Sequence, residues 1–157
     1  MKKILNISLV FLICGILITG CGKNDTKIDL STAKLDTVMD TLYAGINEDD
    51  MPMVETRKVE KEDLASYIGT DQVDVKECYV SEAMIGSIAH SVVLLRVNNL
   101  SDVENAKKLI KDNANPRKWI CVEAEKVIVD SVDDTIVLIM SDNDLATKIH
   151  ENYKKLK

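Results

Sequence analysis

Ser91-Val92-Val93-Leu94-Leu95-Arg96-Val97 decides the fold of this chain. A strand exposed on one side alternates apolar and polar residues. A run that is apolar at nearly every position belongs to a strand covered on both faces. A second run of the same kind, Thr135-Ile136-Val137-Leu138-Ile139-Met140, lies 44 residues further on, counting from Val92 to Ile136. Each run follows a segment that mixes apolar and polar residues with some alternation: Val75 to Ile85, broken off at Gly86, and Lys126 to Val132, ended by the turn Asp133-Asp134. Each is followed by a helix. Ser101-Asp102-Val103-Glu104 reads as a capping box, with Val103, Ala106, Leu109 and Ile110 facing inward and Pro116 bounding the helix. Ser141 or Asp142 caps the last helix, with Leu145, Ile149 and Tyr153 on one side.

The expected fold is therefore α+β: a four-stranded sheet built from two strand–strand–helix halves, with N-terminal helices added. Residues 91–97 and 135–140 take the middle, and 77–85 and 126–132 flank them. Helices 102–113 and 142–155 are expected on one face. Ahead of the sheet, Leu35, Val38, Met39, Leu42 and Ile46 form a helical stripe, with Ser31 as N-cap and Gly45 as stop. Residues 47–59 read as irregular. A short helix carrying Leu64, Tyr67 and Ile68 ends at Gly69. Residues 31–157 are expected to make a single domain.

The first residues carry a different message. Lys2 and Lys3 precede the apolar run Ile4 to Ile18, which has the length of an export-signal core and is short for a span of roughly 20 residues. Ile18-Thr19-Gly20-Cys21 resembles the bacterial lipobox. In lipoproteins of that pattern the cysteine sulfur takes diacylglycerol and the chain is cut just before it. The expectation is a lipoprotein signal peptide over 1–20 and a lipidated tether over 21–30. The domain would hang from the extracellular face of the cell membrane through acyl chains, palmitate among them, on Cys21. Two acyl chains anchor stably where one does so marginally. The competing reading is an uncleaved membrane helix in which Cys21 falls by chance. Cys14 has Ile13 before it and does not fit the lipobox.

Cutting before Cys21 removes Lys2 and Lys3 and shifts the net charge from −6 to −8 over 137 residues. That size suits one domain and is small for a two-lobed solute receptor. An acidic body is repelled by nucleic acid, anionic lipid and teichoic acid, so no nucleic-acid partner is expected. The clusters Lys107-Lys108-Lys111 and Lys154-Lys155-Lys157 fit helix surfaces and C-terminal turns. Cys78 and Cys121 lack the spacing of a metal or redox motif and read as free thiols. With only His90 and His150 available, no metal site and no cofactor is expected.

Between Leu64 and Tyr153 several short motifs stand together: Tyr67-Ile68-Gly69, Ser81-Glu82-Ala83-Met84, the strand Val92–Val97, a helix with a basic end followed by Trp119, and the terminal strand–turn–strand–helix. This stretch resembles an uncharacterised family of lipoproteins from spore-forming, clostridial-type Gram-positive bacteria, a domain of unknown function. The resemblance implies an anchored α+β domain and supplies no catalytic residue. The chain departs from it at Cys121, where the family is expected to carry an aromatic residue.

No constellation reads as catalytic, and the chain is expected not to be an enzyme. Glu77, Glu82, Glu123 and Glu125 could pair for hydrolysis, but strand carboxylates ordinarily face water. Ser81, Ser87 and Ser91 lack a nucleophile elbow. Asp142-Asn143-Asp144 lacks the glycine and distal glutamate of a calcium loop. Trp119 beside Arg117 is the candidate interaction site, since tryptophan and arginine are enriched at binding hot spots. Met39, Met51, Met53 and Met84 could form an adaptable groove. The function expected is a membrane-anchored protein–protein interaction or envelope-assembly module. The alternative is a small ligand-binding or hydrolytic lipoprotein with a pocket around Tyr79, Glu82 and His90.

Overall fold

The computed structural model describes residues 28–156. The signal segment, Cys21 and most of the expected tether lie outside the described residues. The elements are α1 (Leu35–Leu42), β1 (Val54–Lys58), α2 (Leu64–Ile68), β2 (Val75–Ala83), β3 (Ser91–Val97), α3 (Val103–Asn113), β4 (Lys126–Val132), β5 (Thr135–Ser141) and α4 (Asn143–Lys154). The strands form one antiparallel sheet in the order β1-β2-β3-β5-β4. Every residue of β3 and β5 is buried, and these strands are central, flanked by β2 and β4.

Two expectations are corrected. The sheet has five strands, because Val54–Lys58 pairs with β2 as an edge. This strand is Val-Glu-Thr-Arg-Lys, exposed at four of its five positions, so it carries almost none of the apolar signal by which strands are read. Helices α3 and α4 lie on opposite faces. Val93, Leu95, Ile136, Leu138 and Met140 pack with α2 and α3, whereas Val92, Leu94, Val137 and Ile139 pack with α1 and α4. Val92 and Ile136, matched by the 44-residue offset, thus face opposite sides. The two halves are not equivalent, and the sheet is covered on both faces.

Local signals fared unevenly. Asp142 caps α4, accepting from Leu145 N at 2.8 Å. Gly69 ends α2 with φ 81°. Ser31 does not cap α1: Lys34 holds that position, and Ser31 donates to Asp29 in the turn before it. The capping box does not form, since Glu104 pairs with Lys107 and Asp102 makes no side-chain cap.

Within the stretch read as tether, Ile28 already packs against the core and Leu30 is only 2% exposed. Arg96, near the end of β3, donates to the carbonyls of Leu30 (2.5 Å) and Ala33 (2.9 Å) and pairs with Glu77 (3.1 Å). The start of the described chain is therefore fixed at the end of the sheet that also holds the β4–β5 turn. The last turn of α4 lies there too, since the Tyr153 hydroxyl donates to Thr135 O and accepts from Val132 N. The opposite end is formed by residues 51–53, the β2–β3 connection 84–90 and the loop 114–125. β3 separates the two ends by about 20 Å, at roughly 3.3 Å per residue.

Candidate functional site

Among the described residues seven large apolar side chains stand out as exposed. Five of them lie in the loops of the end remote from Leu30: Met53 (73%), Met84 (61%), Ile85 (56%), Ile88 (39%) and Ile120 (81%). Met84 N donates to Met53 O at 2.9 Å, joining the start of β1 to the β2–β3 connection. Isolated exposed apolar residues are unremarkable, but five in the loops of one end make that end the candidate contact surface.

Beneath this rim the two faces of the sheet each hold a polar cluster. On the α1/α4 face His90 is 1% exposed. His90 Nε2 lies 2.9 Å from the Tyr43 hydroxyl oxygen and Nδ1 2.9 Å from Ser141 Oγ, one ring nitrogen donating and the other accepting, and Tyr43 also bonds Ser81 Oγ (3.0 Å). Burial pushes the His90 imidazole down to about 4, against smaller opposing effects of Asp142 and Glu82, so it is neutral at pH 7. Burial likewise raises the Tyr43 hydroxyl. A neutral, enclosed histidine with both nitrogens occupied serves as a polar rivet between α1, β2 and β5, not as an exposed general base.

On the other face Glu82 takes Lys118 Nζ on Oε1 (2.6 Å) and Arg57 on Oε2 (3.0 Å), and Lys118 also donates to Ser91 Oγ (3.1 Å). The Lys118 ammonium sits 5.3 Å from the Tyr67 ring centre and 5.2 Å from that of Trp119. Its side chain is 15% exposed and that of Glu82 18%, so this ion pair is shielded far more than a surface pair. Lys118 thereby latches the loop 114–125 onto the sheet and fixes where Trp119 and Ile120 stand.

The residues singled out by sequence separate accordingly. Arg117 and Trp119 line a depression of about 430 Å³ with Cys121, Val122 and Glu123, and Arg117 pairs with Glu123 at 3.0 Å. Met53 and Met84 reach the rim, whereas Met39 is wholly buried and Met51 packs against the core. Glu82 is on the opposite face from Tyr79 and His90, so these three do not line one pocket. Glu125 accepts from Asn143, and Glu77 pairs with Arg96. Cys78 is buried, its thiol pushed up to about 12 by desolvation; Cys121 is exposed, and the two are not bonded. Among the described residues no group of three or more metal-binding side chains converges, and no helix is long and apolar enough to cross a membrane. Lys118, Ile85 and Ile88 were not identified from sequence. The apolar residues at 84, 85 and 88, so close to Gly86, were the available signal.

No family model, curated protein or solved structure matches the chain.

Proposed function

We propose that this chain is a lipid-anchored extracellular protein whose apolar pole docks a protein partner, without chemistry of its own. The observation that carries this reading is the position of the pole: five exposed apolar residues gather at the end of the sheet remote from Leu30, the side from which the N-terminal anchor would come. From Cys21 to Ile28 the backbone can extend at most about 25 Å. Such a tether keeps the domain close to the bilayer and leaves its far end to project outward.

Charge favours a protein over a lipid surface at that end. Glu123, Glu125, Asp142 and Asp144 are exposed around the pole and are repelled by anionic headgroups. The partner that fits has an apolar patch bordered by basic residues. The resemblance to clostridial-type lipoproteins belongs to the same reading and rests on short, largely core-forming motifs.

A test compares full-length variants in crosslinked membranes. Wild type and Leu100→Asp, at the opposite end, are expected to recover the same partner, and Met84→Asp/Ile85→Asp to lose it while keeping a native circular dichroism spectrum. Equal recovery by all three, or by none, contradicts the reading. Cys21→Ala should release the protein into the medium. A small-ligand reading would draw on the depression beside Trp119, and predicts saturable quenching of this lone tryptophan.

A further inference from the structure

The two edges of the sheet differ in a way the apolar pole does not explain. An edge strand offers unpaired backbone groups to any other strand, and proteins commonly protect it with charge or shortness. β1 has both protections: it is five residues long and carries Glu55, Arg57 and Lys58. β4 is seven residues long, and its centre is Val127-Ile128-Val129 with no charge.

The direction of its free groups follows from the ladder. Val97 N donates to Asp134 O (3.0 Å), and Val59 N to Cys78 O (2.9 Å). These bonds set the alternation across the sheet. Residues 93, 95 and 97 of β3 bond toward β5, through 138, 136 and 134 respectively. Residues 135, 137, 139 and 141 are left to bond β4 through 126, 128, 130 and 132. Val127, Val129 and Ser131 therefore turn their N–H and C=O groups outward. Ser131 N is occupied by Asp130 Oδ1 (2.8 Å), which leaves Val127 and Val129 as the free pair.

We infer that β4 pairs antiparallel with β4 of a second copy of this chain, about a two-fold axis at Ile128, to make a continuous ten-stranded sheet. In this register Val127 bonds Val129 of the other copy in both directions, and Ile128 meets its own counterpart. Lys126 stands directly across from Asp130 of the other copy on each side of the axis. The side chains of 126, 128 and 130 share the α4 face, as Lys126 donates to Thr147, Asp130 takes His150 (2.8 Å) and Ile128 packs with the α4 core. Both cross-copy charge pairs therefore fall on one face. Opposite charges directly across a ladder are favourable. A register centred on Val129 instead sets Ile128 against Asp130 and Lys126 against Val132, and loses both charge pairs. The strand is self-complementary in one register only, which points to a second copy as its occupant. Val127, 39% exposed in the single chain, is covered in the pair.

The test is disulfide trapping with the full-length chain carrying Cys121→Ser to remove the exposed thiol. Directly opposed residues that are not hydrogen-bonded to each other bring their Cα atoms to about 4.5 Å, within the range of about 4.4–6.8 Å that a disulfide spans. On mild oxidation Ile128→Cys is expected to give a covalent dimer, and co-expressed Lys126→Cys and Asp130→Cys a mixed one, each at least tenfold above the parent. Efficient trapping by Val129→Cys with none by Ile128→Cys overturns the register. Sedimentation of the unsubstituted full-length chain in detergent guards against a folding defect: a dimer mass supports the pairing, and a monomer mass at about 100 µM overturns it.

Discussion

His90 shows how little a residue type says about its role. From sequence it is a lone histidine at a connection; in the fold it is enclosed and bonded through both nitrogens. The consequence for pH has a definite sign. Its folded pKa, about 4, lies below the ordinary value near 6.5, so the unfolded chain binds more protons between those values. Stability from this group is complete above pH 6.5 and is lost as pH falls toward 4, by on the order of 3 kcal/mol. Urea unfolding at pH 7 and pH 4 is expected to show that loss in wild type beyond any shown by His90→Gln; equal losses in both contradict it. Gly69 was legible, as the stop of α2. Its second role was not, because it depends on α3, distant in sequence. At φ 81° it lies against the Asn113 carbonyl, where any added Cβ would overlap. Gly69→Ala is expected to lose more than about 2 kcal/mol in thermal or urea unfolding. A change below about 0.5 kcal/mol would show that α2 and α3 do not pack this closely.

At the scale of elements, β3 and β5 could be read because burial on both sides leaves an unmixed apolar run, and β2 and β4 because partial exposure leaves some alternation. β1 could not, since a mostly exposed edge strand needs no apolar pattern and is defined by its partner. Helix faces were misassigned for a related reason: α3 and α4 have similar amphipathic stripes, and a stripe says that a helix is covered, not which side of the sheet covers it. The loop 114–125 has little regular structure and is held by Lys118 on Glu82 and Ser91. Lys118→Met should keep the fold, since Glu82 retains Arg57. It should speed amide exchange over residues 117–122 by about tenfold and shift Trp119 emission to the red. Unchanged exchange and emission would mean that other contacts hold the loop.

For the whole molecule, the arrangement that matters is polar. Arg96 fixes the first packed residues at one end of the sheet, and the apolar rim occupies the other. Trp119 and Arg117 were identifiable by residue type, and the structure puts them in a depression in the loop that also carries Ile120 to the rim. The rest of the rim was not identifiable, because Met53 is brought to Met84 by the unread strand β1 and because exposure is a property of the finished fold. The proposal that this pole docks a protein is tested most directly by a photoreactive amino acid placed singly at Ile85 and at Leu100 in the full-length chain in living cells. The expected result is one discrete protein adduct from position 85, abolished by Ile88→Asp, and none from position 100. Adducts of lipid at position 85, or the same adducts from both positions, would contradict it.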